Sequence, residues 1–268
     1  MHPLVMGVVN VTPDSFSDGG WFADHAAAIA HGRVLAEEGA DWIDVGGEST
    51  RPGAEDVAEA EELRRVVPVV EALAAAGLRV SIDTRKAGVA RAAVAAGATL
   101  LNDVSAELGP VAAELGVAWA AMHSQGKPRT MQVDPSYRDV VQEVRDELVA
   151  RAEAARAAGV PEVWIDPGIG FGKTRHHNLR LLAHLDALVE TGFPVLVGTS
   201  RKGFLGALLG ESDGIDGPAP VEDRLEGSLA TATWAMANGA RMVRVHDVRA
   251  TARAARLVGG QITEDAAA

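Results

Sequence analysis

Short apolar runs rich in Val and Ile recur along the 268-residue chain, separated by Ala-rich stretches with helical periodicity. The runs are Leu4–Asn10, Trp42–Gly46, Val80–Asp83, Thr99–Asp103, Ala118–His123, Val163–Asp166, Val195–Gly198 and Met242–His246. Helices are expected between them at Asp24–Glu38, Asp56–Ala75, Ala87–Ala96, Pro110–Leu115, Tyr137–Ala158, His177–Thr191, Glu222–Asn238 and Arg249–Leu257. Gly39, Gly97, Gly116, Gly159, Gly192 and Gly239 stand where helix C-caps would fall. A strand followed by a helix, repeated about eight times, is the alternation of an α/β fold with a parallel sheet. Closed on itself, it is a single (β/α)8 TIM barrel over 1–268, its site at the C-terminal rim of the strands. An open doubly wound sheet is also compatible with the alternation. That fold usually carries a Gly-rich phosphate turn after its first strand, and here the turn reads Asn10-Val11-Thr12-Pro13-Asp14. Gly210–Pro220, rich in Gly, Asp and Pro, reads as a long loop, and 259–268 as a tail expected to fray.

Composition narrows the partners. Lys and Arg number 25 against 37 Asp and Glu, a formal charge of −12 with no basic cluster, which argues against nucleic acid. With no Cys there are no disulfides, thiolate metal sites or cysteine nucleophiles. No basic segment precedes a long apolar one at the start, and no apolar stretch reaches bilayer length, so the expectation is a cytoplasmic protein without membrane contact.

In such a barrel, reactive groups project from the C-terminal strand ends and the loops that follow. Those positions hold Asn10, Glu48, Asp83, Asn102-Asp103, His123, Asp166, Thr199-Ser200-Arg201-Lys202, and Arg244 with His246 on one face of the last strand. Each has a plainer reading. Asp83, Asp103 and Asp166 could be helix N-caps; Arg201 and Lys202 could form a solvated turn. Asn10 could satisfy loop backbone, and His123 could be a hydrogen-bonded strand end. His176-His177 opens a helix without metal-ligand spacing. Asp44, mid-strand, calls for an ion pair, because an unpaired carboxylate inside a barrel is costly. Convergence at one rim favours function. Asp83, Asn102 and Asp166 offer acceptors to a ligand edge made of N–H donors. Arg244, His246 and Asn10, on strands adjacent once the barrel closes, suit an anion such as phosphate, and Lys202 lies between. A flat nitrogen heterocycle with a phosphate tail satisfies both halves. No Ser-His-Asp order or nucleophile elbow is present.

Met6-Gly-Val-Val-Asn-Val-Thr-Pro-Asp-Ser-Phe-Ser-Asp-Gly-Gly20 and Asp44-Val-Gly-Gly-Glu-Ser-Thr-Arg-Pro-Gly53 resemble the two signature loops of the dihydropteroate synthase family. Ser81-Ile-Asp-Thr84, Leu101-Asn-Asp-Val104, Met122-His123, Asp166-Pro-Gly-Ile-Gly-Phe-Gly-Lys173, Gly198-Thr-Ser-Arg-Lys202 and Arg244-Val-His-Asp-Val248 follow in that family's order. The resemblance implies a folate-pathway transferase that joins 6-hydroxymethyl-7,8-dihydropterin pyrophosphate to p-aminobenzoate, with Mg2+ as cofactor. It further implies that Asp83, Asn102, Met122, Asp166, Phe171 and Lys202 hold the pterin. Asn10, Thr50, Arg244 and His246 would hold the pyrophosphate, with Asn10 also on the metal. Phe16, Thr50, Arg51, Pro52, Phe171, Lys202 and Gly203 would border p-aminobenzoate, where sulfonamides compete, and Asp18, Arg51 and Lys202 would serve catalysis. A homodimer is also implied. The short Ala106-Glu107-Leu108-Gly109 turn and Ser124 depart from the family's usual pattern and bear on local loop geometry. A methyl-transfer relative on the same barrel and a catalytically silent paralogue are the rival readings.

Overall fold

The computed structural model describes residues 2–12, 20–49, 56–126 and 131–261. Its eight strands are β1 Leu4–Asn10, β2 Trp42–Gly46, β3 Val80–Asp83, β4 Leu100–Asp103, β5 Ala118–Met122, β6 Val163–Asp166, β7 Leu196–Val197 and β8 Met242–Val245. All pair in parallel, in the order β6-β5-β4-β3-β2-β1-β8-β7. A parallel bridge between Ile165 and Val195, with Ile165 N–H donating to Pro194 O at 3.0 Å, brings β6 against β7 and nearly closes the barrel. β7 is two residues long because Pro194 has no N–H for the ladder and Gly198 ends the run.

The helices are α1 Gly20–Glu37, α2 Glu59–Ala75, α3 Ala87–Ala95, α4 Gly109–Leu115, α5 Val140–Ala157, α6 Arg175–Ala183, α7 Asp186–Val189, α8 Gly203–Asp213, α9 Leu225–Ala237 and α10 Val248–Arg256. Gly116 ends α4 in the left-handed region, φ 65° and ψ 32°, a conformation that costs a side chain but not a glycine. A π-helical turn, Leu257–Gln261, continues α10, so the stretch expected to fray begins with the last residues of that turn; 262–268 lie outside the described residues.

Two expectations need correction. The helix read over His177–Thr191 is two pieces. The capping box of Thr174 and His177 starts α6 early, and His184 leaves helical geometry at φ −123°, ψ 41°. The loop read from residue 210 begins instead at Gly214, since α8 runs to Asp213. Gly203, Gly206 and Gly210 lower helix propensity, yet tertiary packing requires two of them. A Cβ on Gly206 would sit 2.6 Å from the Arg224 guanidinium, and one on Gly210 would sit 2.1 Å from Gly217 O.

Strand alternation divides the core into two. Outward residues such as Val5, Val9, Ile43, Val45, Ile82, Leu101, Ile165 and Val243 are buried under the helices. Inward residues Met6, Trp42, Leu100, Ala118, Ala120, Trp164, Leu196 and Met242 form a separate plug in the barrel. The register stacks them side by side: Met6 beside Trp42, Leu100 beside Ala118, Ala120 beside Trp164, Leu196 beside Met242. That plug is the floor on which the site stands.

Candidate active site

Two residues beyond the plug, the same inward positions turn polar. Asp44 follows Trp42, Asn102 follows Leu100, Asp166 follows Trp164 and Arg244 follows Met242. Asp83 is in register with both Gly46 and Asn102, and Met122 with Asp166, so one continuous wall runs from β2 to β6. Asp44, Asp83, Asn102, Met122 and Asp166 are all buried. Arg244 crosses from β8 to this wall. Its Nε donates to Asp44 Oδ2 at 2.6 Å and its Nη2 to Asp83 Oδ2 at 2.7 Å. Asn102 Nδ2 donates to the same Asp44 oxygen at 3.0 Å. The ion pair that Asp44 called for is therefore with Arg244, and two donors of that guanidinium are committed to carboxylates.

The wall keeps acceptor capacity in reserve. Among the described residues, Asp83 Oδ1 and Asp44 Oδ1 are buried without a hydrogen-bond partner. An orphaned buried carboxylate oxygen is a place for a donor. Burial pushes the Asp83 carboxyl up, with Asp44 and Glu62 adding to the rise and Arg244 opposing it. Burial likewise pushes Asp166 up to about 6, against the Gly168 N–H, which donates to its Oδ1 at 2.7 Å.

The loop after β6 is held by its own sequence. Gly168 has φ 61°, and a Cβ there would stand 1.9 Å from His123 O. Gly170 N–H donates to Asn178 Oδ1 at 2.7 Å, and Tyr137 OH to Gly172 O at 2.9 Å. Lys173, buried, reaches His123 Nδ1 at 2.9 Å and Phe171 O at 3.0 Å. Burial lowers the amine to about 7, and burial with Lys173 nearby lowers His123 to about 3. Phe171 is thereby presented to Lys202, whose Nζ lies 4.0 Å from the ring centroid. Lys202 precedes α8, which starts at an exposed Gly203.

On the remaining side, Asn10 ends β1 half-buried, in register with Gly46. His246 stands beside Ser200 of the β7 loop, its N–H at 3.1 Å and its Nδ1 at 3.0 Å from Ser200 Oγ. Phe16, Asp18, Thr50, Arg51 and Pro52 lie outside the described residues.

Several candidates belong to scaffold. Asp103 accepts from Ser105 N–H, Leu108 N–H and Trp119 Nε1–H, tying down its own turn. His177 serves the α6 cap. Arg201 pairs with Asp247 at 2.7 Å. Sequence reasoning did not find the Ser200–His246 or Lys173–His123 contacts, since neither pairing has a sequence spacing that announces it. Among the described residues no group of three His, Cys, Asp or Glu is placed to hold a metal. No described helix is long and apolar enough to cross a membrane.

Residues 6–246 match the family described as pterin binding enzyme. The dihydropteroate synthase of Mycobacterium leprae is 49% identical over 266 residues, 95% of this chain and 92% of that protein. The chain belongs to the dihydropteroate synthase family. The Yersinia pestis dihydropteroate synthase, solved with a sulfonamide drug, superposes with a TM-score of 0.89 at 43% identity, covering 98% of this chain and 95% of that one. The Xanthomonas albilineans dihydropteroate synthase in complex with 7,8-dihydropteroate gives 0.82 at 45%, covering 100% and 94%. One rim of the barrel brings together Asp83, Asn102 and Asp166 at the ends of β3, β4 and β6 with Arg244 on β8 and Lys202 after β7.

Proposed function

We infer that the chain condenses 6-hydroxymethyl-7,8-dihydropterin pyrophosphate with p-aminobenzoate, giving 7,8-dihydropteroate and pyrophosphate, a transferase step of folate biosynthesis. The acceptor wall carries this reading. Asp83, Asn102 and Asp166 line one side of the rim, and a spare buried oxygen on Asp83 awaits a donor. A pterin edge of ring N–H and amino groups supplies such donors. Met122 and Phe171 flank the ring, and Lys202 lies against Phe171.

The reaction needs no protein nucleophile. The pterin methylene C–O bond breaks with its electrons going to pyrophosphate, and the ring stabilises the cation. The aryl amine then forms the C–N bond and gives up its proton. Arg244, His246 and Asn10 would stabilise charge on the leaving group, Arg244 through its positive charge and the N–H groups that Asp44 and Asp83 leave over. Phe16, Thr50, Arg51 and Pro52 would complete the p-aminobenzoate side with Phe171, Lys202 and Gly203, and Asp18 would stabilise the cation. Mg2+ takes oxygen ligands and keeps several waters beside substrate phosphates, so the Asn10 amide oxygen would supply one protein ligand there, with water and pyrophosphate supplying the rest. Bound there, it would screen the charge of the pyrophosphate. We read the protein as a single cytoplasmic domain that works as a homodimer. Exposed Leu179 and Trp234 on the adjacent α6 and α9 support the dimer.

Pyrophosphate release tests the reaction. It should require both substrates, and formation of 7,8-dihydropteroate should fall when a sulfonamide competes with p-aminobenzoate. Methyl transfer to or from a folate with no pyrophosphate release would favour the methyl-transfer relative instead.

A further inference from the structure

An asparagine amide carries a donor at one end and an acceptor at the other, and its neighbours decide which end faces a ligand. The register sets Asp44 one inward layer below Asn102: Asp44 pairs with Ser81, while Asp83, the partner of Asn102, pairs with Gly46. Asp44 is fully buried, and a single oxygen, Oδ2, accepts both Asn102 Nδ2–H at 3.0 Å and Arg244 Nε–H at 2.6 Å. A reversed amide would put oxygen against oxygen in a buried place, at a cost of about 1–3 kcal/mol.

We propose that Asp44, set one layer below Asn102, is the positioning residue that makes Asn102 an acceptor and so gives the wall its uniform polarity. The same carboxylate anchors Arg244, whose Nη2 holds Asp83 at 2.7 Å. One buried group on β2 thus orients the ligand-reading side chains of both β3 and β4. The proposal rests on the pterin reading above.

The test is calorimetric titration with 6-hydroxymethylpterin, which carries no phosphate, alongside the KM for p-aminobenzoate. Asn102→Ala and Asp44→Ala should each weaken pterin binding about tenfold, the scale of one buried hydrogen bond lost to a partner left unpaired. In the double variant, Asp44→Ala should add less than about threefold to the loss from Asn102→Ala, because coupled residues are non-additive. Asp44→Asn keeps an oxygen for Arg244 Nε–H and hence for Asn102, so it should bind within about threefold of wild type. With the pterin substrate saturating, the KM for p-aminobenzoate of Asp44→Ala and Asp44→Asn should stay within about twofold of wild type, which a general structural defect would not allow.

Wild-type affinity in Asp44→Ala, full additivity in the double variant, or a tenfold loss in an Asp44→Asn protein of normal melting temperature would each overturn the proposal. If Asp44→Ala does not fold, Asp44→Asn decides alone, retention supporting and loss refuting. Failure of the pterin reading is separately visible: wild type would bind no pterin, or Asn102→Ala would bind it undiminished, and the proposal would fall with it.

Discussion

The floor and the rim of this barrel come from the same strands, two residues apart. On the floor, Met6, Trp42, Leu100, Trp164 and Met242 fill space, and the loose polar ends there are the unpartnered indole N–H groups of Trp42 and Trp164. On the rim, the following inward residues are Asp44, Asn102 and Arg244, tied to one another, and Asp166, held by Gly168 N–H, while Asp44 and Asp83 each keep a carboxylate oxygen to spare. Apolar packing saturates with its neighbours, whereas a partly satisfied polar layer remains open to a ligand. Stability and recognition are therefore separable along each strand.

The separation can be broken most severely at Trp164. Trp164→Ala should lower unfolding free energy by about 3–5 kcal/mol in urea titration, as large-to-small core changes do, while pterin affinity of the folded fraction falls little. An equal loss of affinity would show that floor and rim are one unit.

The next effect concerns Asp166. Its folded carboxyl, raised by burial to about 6, keeps a proton that the unfolded chain gives up near pH 4. The native state binds more protons across that window, so the contribution of Asp166 to stability falls as pH rises from about 4 to about 6 and is flat above it. Pterin affinity should move oppositely, climbing over the same interval as the carboxylate ionises to accept ring N–H groups. Calorimetry in buffers of different ionisation enthalpy at pH 5.5 should detect proton release on binding, reduced in Asp166→Asn to what the similarly raised Asp83 contributes; no release in wild type would remove Asp166 from the site.

The smallest effect sharpens the comparison within the rim. Phe171→Leu removes the ring beside Lys202 and should cost about 0.5–1 kcal/mol, read as a several-fold rise in KM for p-aminobenzoate with stability nearly unchanged. A melting temperature lowered as much as by a floor substitution would class Phe171 with the scaffold.

Most of the strand pattern was legible because a strand buried on both faces writes a short Val- and Ile-rich run. Six of the eight, β1, β2, β3, β5, β6 and β8, begin where those runs begin; β4 starts one residue later, and β7 is one residue shorter at each end. The α8 helix was not legible, because its glycines lower local propensity and their reason lies in Arg224 and Gly217, distant in sequence. The rim acceptors Asp83, Asn102 and Asp166 could be picked out by position at strand ends. Asp103 sits at an equivalent end and is scaffold, because its carboxylate is consumed by Ser105, Leu108 and Trp119.

Sequence alone determined the βα alternation, the parallel barrel and the supply of acceptors and cations at one rim, since period-two patterning and turn chemistry are local. Only the tertiary structure decided that Arg244 spends two donors on Asp44 and Asp83, and that Asn102 turns its N–H toward Asp44. Those partners lie 200, 161 and 58 residues apart, and no local rule reaches across the barrel that brings them within hydrogen-bond distance.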